Sequence, residues 1–142
     1  MDFALSPRAQ DYLRRIRAFI KDRVLPVEVL HLRDIAERKV GGDWTQWTIS
    51  PEFEALKADA KSQGLWNLFL PDEELGAGLN HVEYAALAEE MGKSFMGPEV
   101  FNCSAPDTGN MEVLYKYGSD EQKERWLKPL LAGEIRSAFG MT

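Results

Sequence analysis

Apolar residues recur at helical spacing along most of this chain. Tyr12, Ile16, Phe19, Ile20 and Val24 form one stripe, with Arg14, Arg15, Lys21 and Asp22 on the other side. Ser6 and Pro7 open it, because a serine oxygen caps free helix N–H groups and proline suits the first helical position. Pro26 lacks an N–H and crowds the preceding turn, so it is expected to kink or end this helix, with a second helical segment over 27–38. Residues 40–49 form an irregular connection holding Trp44 and Trp47. Ser50 and Pro51 repeat the start signal, and Phe53, Leu56 and Ala60 give the next helix a modest apolar stripe, stopped at Gly64.

Residues 65–70 are nearly all apolar but too few for a helix with its own face, so they are expected as a buried connection. Residues 72–79 read as a loop. Asn80 and Glu83 then form a capping-box pattern. The helix behind it, over 82–91, carries Ala85, Ala86 and Ala88, whose small side chains place it centrally; Gly92 ends it. Gly97, Pro98 and Pro106 leave room for at most one short helix between 95 and 106. Asp107 or Thr108 is expected to cap a helix carrying Met111, Leu114 and Tyr115 that stops at Gly118. Ser119 and Gln122 form a second capping box, Trp126, Leu127, Leu130 and Leu131 the buried face behind it, and Gly133 the stop. Residues 135–142 read as a strand with nothing after it to pair with, so part of the function is expected to lie outside these residues. The pattern defines an all-α domain over 1–134, of five to seven helices, followed over 135–142 by the first strand of a β domain.

Composition narrows the function classes. A chain of 142 residues fits one domain and can bury a real core. The net charge of −6 argues against nucleic acid as a partner, since phosphate binding needs a basic surface. A single cysteine, Cys103, excludes an internal disulfide framework and fits a reducing compartment. No apolar run approaches the roughly 18 residues of a membrane span. The first residues resemble neither a signal peptide nor a transit peptide, so a cytoplasmic location and no membrane association are expected.

Candidate chemistry is sparse. Glu28 and His31 match the Glu-x-x-His spacing of a carboxylate-bridged metal bundle, but such a bundle needs a second pair and His81 has no glutamate at that spacing. No metal site is expected. Cys103 lies in a proline-flanked apolar stretch without a neighbouring histidine and is expected to be inert. Gly76 and Gly78 precede a capped helix, yet a phosphate loop would lack a preceding strand and would face Asp72, Glu73 and Glu74. Glu89 and Glu90 are adjacent in a helix and so point in different directions. The residues alone form no self-sufficient catalytic constellation.

Several segments together carry a resemblance. Residues 64–79 (GLWNLFLPDEELGAGL) are similar to the "GLW…P-E-x-x-G-G-x-G" segment of acyl-CoA dehydrogenases, with Leu75 where tyrosine or phenylalanine is commoner. Residues 83–92 resemble that family's central helix, and residues 118–134 its "G-T/S-x-x-Q-K-x-x-Y/W-L-P-x-L" helix. Residues 138–142 (AFGMT) look like the start of its "A-F/Y-x-x-T-E-P" flavin segment. The order and spacing of these segments are specific, and the match covers nearly the whole chain. Residues 101–114 resemble more narrowly the subfamily that includes acyl-CoA dehydrogenases fused, in some animals, to a kinase-like domain.

The resemblance implies an FAD enzyme that introduces a 2,3-double bond into an acyl-CoA thioester and passes electrons to electron-transfer flavoprotein. It implies a helical N-terminal domain, a β middle domain and a C-terminal helical domain, in a homodimer or homotetramer. Phe139, Met141 and Thr142 match flavin-contacting positions, with a backbone N–H at Met141 and the backbone or hydroxyl of Thr142 facing the pyrimidine end of the ring. Phe101, Asn102, Ala105 and Thr108 match the wall near the distal end of the acyl pocket. Ala105 is small there, which implies a deeper or wider pocket. The catalytic glutamate is implied to lie in the C-terminal domain, so no catalytic residue is assigned here. Two other readings stay open: a helical module that binds acyl chains or a partner protein without redox chemistry, and a related flavoenzyme such as an acyl-CoA oxidase or nitroalkane oxidase.

Overall fold

The computed structural model describes residues 3–39, 43, 45 and 49–141. It is helical, with no strand among the described residues. Helix α1 (Pro7–Phe19) continues through a π-helical turn (Ile20–Val24) into α2 (Leu25–Lys39). Then come α3 (Pro51–Ser62), α4 (His81–Met91), the short α5 (Gly97–Val100) and α6 (Asp107–Tyr117). A single turn, α7 (Asp120–Gln122), runs through a second π-helical turn (Lys123–Leu127) into α8 (Lys128–Ala132). Trp44 and Trp47 lie outside the described residues.

The helix starts follow the expected chemistry. Ser6 Oγ accepts from the Ala9 N–H and Ser50 Oγ from the Phe53 N–H. Both capping boxes form: Asn80 with Glu83, and Ser119 with Gln122. Glu83 also accepts the Ser6 N–H at 3.3 Å, tying the start of α4 to the start of α1. Gly133 closes α8 in the left-handed region, with φ 75°. A Cβ at that glycine would stand 2.7 Å from the Trp66 ring.

Two expectations about helix boundaries need correction. Pro26 neither ends nor separates the first two helices. Its missing N–H is absorbed one turn earlier, where the Leu25 N–H reaches back five residues to the Ile20 carbonyl. A π-turn re-spaces the backbone so that proline falls at the start of a fresh α segment, a position it tolerates. The same device precedes Pro129, where the Lys128 N–H bonds the Lys123 carbonyl. At α6, Asp107 is the first helical residue and makes no side-chain cap, because its carboxylate is engaged elsewhere.

The core joins Ile16, Phe19 and Val24 of the long rod to Leu56 and Ala60 of α3, Leu87 and Met91 of α4, and Leu127 and Leu130 of the last rod. Helix α4 packs on α1, as its central placement requires. Its buried positions are Glu83, Leu87, Glu90 and Met91, whereas Ala85 is exposed. The run 65–70 is the buried connection expected, with Leu65, Leu68 and Leu70 wholly inside. Trp126 is an exception to its helix's buried face: it is half-exposed under the Arg125 guanidinium, 4.6 Å from the ring centre.

Two asparagines lock this connection to the end of the last rod. Asn67 and Asn102 both adopt left-handed backbone, with φ 54° and 52°. Asn102 Nδ2 donates to Asn67 Oδ1 at 2.7 Å and to the Leu130 carbonyl at 3.1 Å. The Leu131 carbonyl accepts from Asn67 Nδ2 at 3.0 Å and Trp66 Nε1 at 2.8 Å. These carbonyls belong to the last turn of α8, where a helix runs out of i+4 donors; Leu130 also accepts the Gly133 cap N–H at 3.0 Å.

Candidate functional site

The site forms where residues 135–141 leave α8 and cross the α5–α6 corner. The strand expected over 135–142 does not form among the described residues: 137–141 carry no regular structure. A strand needs a neighbouring ladder, and no other segment among the described residues supplies one. Instead, two side chains bind this segment to the helices. Arg136 Nε donates to Asp107 Oδ2, Arg136 Nη1 to Glu99 Oε1, and Arg136 Nη2 to Ser104 Oγ at 3.2 Å. Asp107 Oδ1 accepts both the Ser137 amide, at 2.7 Å, and the Ser137 hydroxyl, at 2.6 Å. Asn110 Nδ2 donates to Ser137 Oγ at 2.8 Å.

Beside this anchor lies a groove of about 490 Å³ lined by Asn110, Val113, Leu114, Trp126, Ile135 and Ala138, among others. Beyond it, Phe139 and Met141 are 71% and 84% exposed. Thr142 lies outside the described residues.

The four residues expected to form the pocket wall divide into two pairs. Phe101 is completely buried, edge-on to Phe19 with ring centres 5.5 Å apart, and Asn102 is held in the asparagine lock. Ala105 is exposed and Thr108 half-buried. Those two flank the residues that grip Arg136 and Ser137. The fold thus brings the 105–108 stretch and the segment entering 139–141 to one corner, with Phe101 and Asn102 in the interior beneath it. Sequence reasoning missed Glu99, Asp107, Arg136 and Ser137 as a unit. The available signal was a charged residue, Arg136, set in an otherwise apolar terminal run.

Electrostatics at the corner favour fixed charges. Burial pushes the Asp107 pKa upward, but the Ser137 hydroxyl and amide, with Arg136, overcome it and hold the carboxyl below its ordinary 3.8. Asp72 is lowered too, through the Leu75 amide and the Tyr115 hydroxyl. Glu90 is lowered through Lys93 and Arg17, and Glu83 through Ser6 and Asn80. Carboxylates with lowered native pKa values stabilise the fold above their ordinary pKa, and that stability is lost as pH falls through the native values. Unfolding midpoints in urea are therefore expected to hold steady from neutral pH down to about pH 5 and to fall progressively below it. Asp107→Asn is expected to lower the plateau and flatten that acid limb; an acid limb of unchanged steepness contradicts the assignment.

The other candidates have structural roles. Glu28 Oε1 accepts the Phe95 amide at 2.6 Å, and His31 lies against Phe53 with Nδ1 3.3 Å from Ser50 Oγ. No group of three potential metal ligands forms among the described residues. Burial pushes the Cys103 thiol up to about 12, so it stays protonated and unreactive at neutral pH. The Gly76 and Gly78 amides both bond the Asp72 carbonyl, which makes their segment a closed turn rather than an anion cradle. Glu90 is buried and Glu89 exposed, so the two point apart. No helix among the described residues is long and apolar enough to cross a membrane.

The helical domain thus anchors its last described segment at the α5–α6 corner. The sequence model described as "Acyl-CoA dehydrogenase, N-terminal domain" matches residues 6–134, so this chain belongs to the acyl-CoA dehydrogenase family. It is 50% identical to "Acyl-CoA dehydrogenase family member 11" of Rattus norvegicus, over 99% of this chain and 17% of that protein. It is 46% identical to "Probable acyl-CoA dehydrogenase FadE2" of Mycobacterium tuberculosis, over 100% of this chain and 33% of that protein. A solved putative acyl-CoA dehydrogenase from Mycobacterium abscessus superposes with TM-score 0.87 at 55% identity, over 98% of this chain and 35% of that one. The chain therefore spans between about a sixth and a third of these relatives.

Proposed function

We propose that this chain is the N-terminal, acyl-pocket and flavin-edge portion of an FAD-dependent enzyme that dehydrogenates an acyl-CoA thioester at its 2,3-bond. Family membership supports the reaction class. The observation that carries the local role is the anchored exit of residues 136–137 into an exposed apolar segment, Phe139–Met141. Backbone without regular structure leaves its N–H groups outside any helix or ladder, and Phe139 and Met141 supply exposed apolar surface. That donor set fits the edge of an isoalloxazine ring, which has carbonyl and nitrogen acceptors on an otherwise flat apolar body. When bound, FAD would accept the hydride and carry the redox chemistry.

The chain's own residues bind and orient. Phe139 and the Met141 amide would meet the flavin, with Thr142 next in line. Ala105 and Thr108 would face the acyl chain, with Phe101 and Asn102 supporting them from inside. The catalytic base belongs outside this chain. A base that works near neutral pH needs a pKa raised toward that range. The carboxylates displaced here are displaced downward. Electron-transfer flavoprotein as acceptor, a homodimeric or homotetrameric assembly and a cytoplasmic location complete the proposal.

Joining this chain to the remaining domains of the Mycobacterium abscessus relative tests the flavin role. The fusion is expected to purify with FAD, and Met141→Pro, which deletes one backbone N–H, to lose most of it. Equal FAD content in the two proteins contradicts the assignment of the Met141 amide.

A further inference from the structure

Asp107 does more than pair with a surface arginine. Its carboxylate is 2% exposed at the first position of α6, yet it caps nothing in that helix. Both oxygens turn outward onto the departing chain, one to Arg136 and the other to the Ser137 amide and hydroxyl. Glu99 and Ser104 take the rest of the Arg136 guanidinium, and Asn110 takes the Ser137 hydroxyl oxygen. Residues 136 and 137 are thus gripped from both sides of the corner. Charge-assisted bonds to a buried carboxylate are the strong kind, and several on one group fix direction as well as distance. The grip stops at Ser137.

We propose that Asp107 is the positioning residue for the flavin-edge segment: through Ser137 and Arg136 it sets the direction in which Phe139–Met141 leave the helical domain. This rests on the flavin-edge reading above. A fully extended chain advances about 3.3 Å per residue, so the Met141 amide lies at most roughly 13 Å beyond Ser137. A pivot of about 10° at Ser137 then displaces that amide by up to about 2 Å, enough to break a hydrogen bond. Asp107 touches neither flavin nor substrate in this account and is not a catalytic residue. Its carboxylate also couples the 105–108 wall to the segment at 139–141, because Asp107 belongs to the first and holds the second.

The test uses the fusion to the remaining domains of the Mycobacterium abscessus relative, with FAD as the probe. Two quantities are read: hydrogen exchange at the Ser137 amide and the dissociation constant for FAD. Asp107→Ala is expected to speed Ser137 exchange at least tenfold and to weaken FAD binding by about tenfold. Asp107→Asn keeps Oδ1 as an acceptor and is expected to fall between Asp107→Ala and the parent. It carries the test should Asp107→Ala fail to fold. Asn80→Ala removes the α4 cap, is hydrogen-bonded to none of the clamp residues, and is expected to change neither reading. Unchanged Ser137 exchange overturns the clamp. Faster exchange with FAD binding unchanged overturns the positioning role and leaves the flavin-edge reading standing. A parent fusion that binds no FAD overturns that reading, and this inference with it.

Discussion

Phe101→Ala is expected to destabilise the chain by about 3–5 kcal/mol, seen as a large drop in the urea midpoint with little change in slope. Phe101 has no exposed surface and meets Phe19 edge-on. Its carbonyl accepts the Asn67 amide at 3.1 Å and the Cys103 thiol at 3.2 Å, so its backbone is fixed from two sides. The neighbours cannot collapse into the space the ring leaves, because Asn67 and Asn102 are tied to the end of α8. A cavity that cannot relax carries the full cost. Phe101→Leu keeps most of the volume and is expected to cost well under half as much. A loss below about 1.5 kcal/mol for Phe101→Ala shows that this residue supports the corner only weakly.

Gly97→Ala is the second large effect, expected at the upper end of the roughly 1–3 kcal/mol seen for overpacking. A Cβ there would stand 2.3 Å from the Met91 carbonyl oxygen, a backbone atom at the end of α4 that cannot swing aside as a side chain could. The substitution pushes α5 off α4, and α5 leads directly into Phe101 and Asn102. Gly109→Ala is the matched control. That glycine lies within α6 with nothing inside 4 Å of a new Cβ, and alanine is the better helix former. A thermal melt in which Gly97→Ala matches the parent contradicts the packing described for α4 and α5.

What was legible in the sequence was local. Ser6, Ser50, Asn80 and Ser119 announce helix starts because a cap is decided within four residues. Residues 65–70 announce burial because all but Asn67 are apolar. The π-turns before Pro26 and Pro129 were not legible: whether proline ends a helix or is absorbed one turn earlier depends on what the flanking residues pack against. Here Ile20 and Val24 are both buried, and that burial holds the rod together through the widened turn. Trp126 fits its helix's apolar stripe by spacing, yet its ring is half-exposed in the π-helical turn Lys123–Leu127, with the Arg125 guanidinium over it.

The candidate site was legible only at its two ends. Phe139 and Met141, and the stretch from Phe101 to Thr108, were marked by resemblance to a family. The connection between them was not, because Asp107 and Arg136 stand 29 residues apart and their pairing is a product of the fold. Nor can a short terminal run reveal whether a ladder is there to make it a strand, and residues 137–141 carry no regular structure.

The proposed role of this domain is to serve a flavin dehydrogenase acting on acyl-CoA. The most direct measurement is anaerobic titration of the fusion, loaded with FAD, with a saturated acyl-CoA. The account predicts that the yellow flavin absorbance bleaches in step with enoyl-CoA formation and returns on adding electron-transfer flavoprotein. FAD bound but unbleached by acyl-CoAs of any length would contradict it, and rapid recovery of colour with dioxygen instead of electron-transfer flavoprotein would assign the chain to an oxidase.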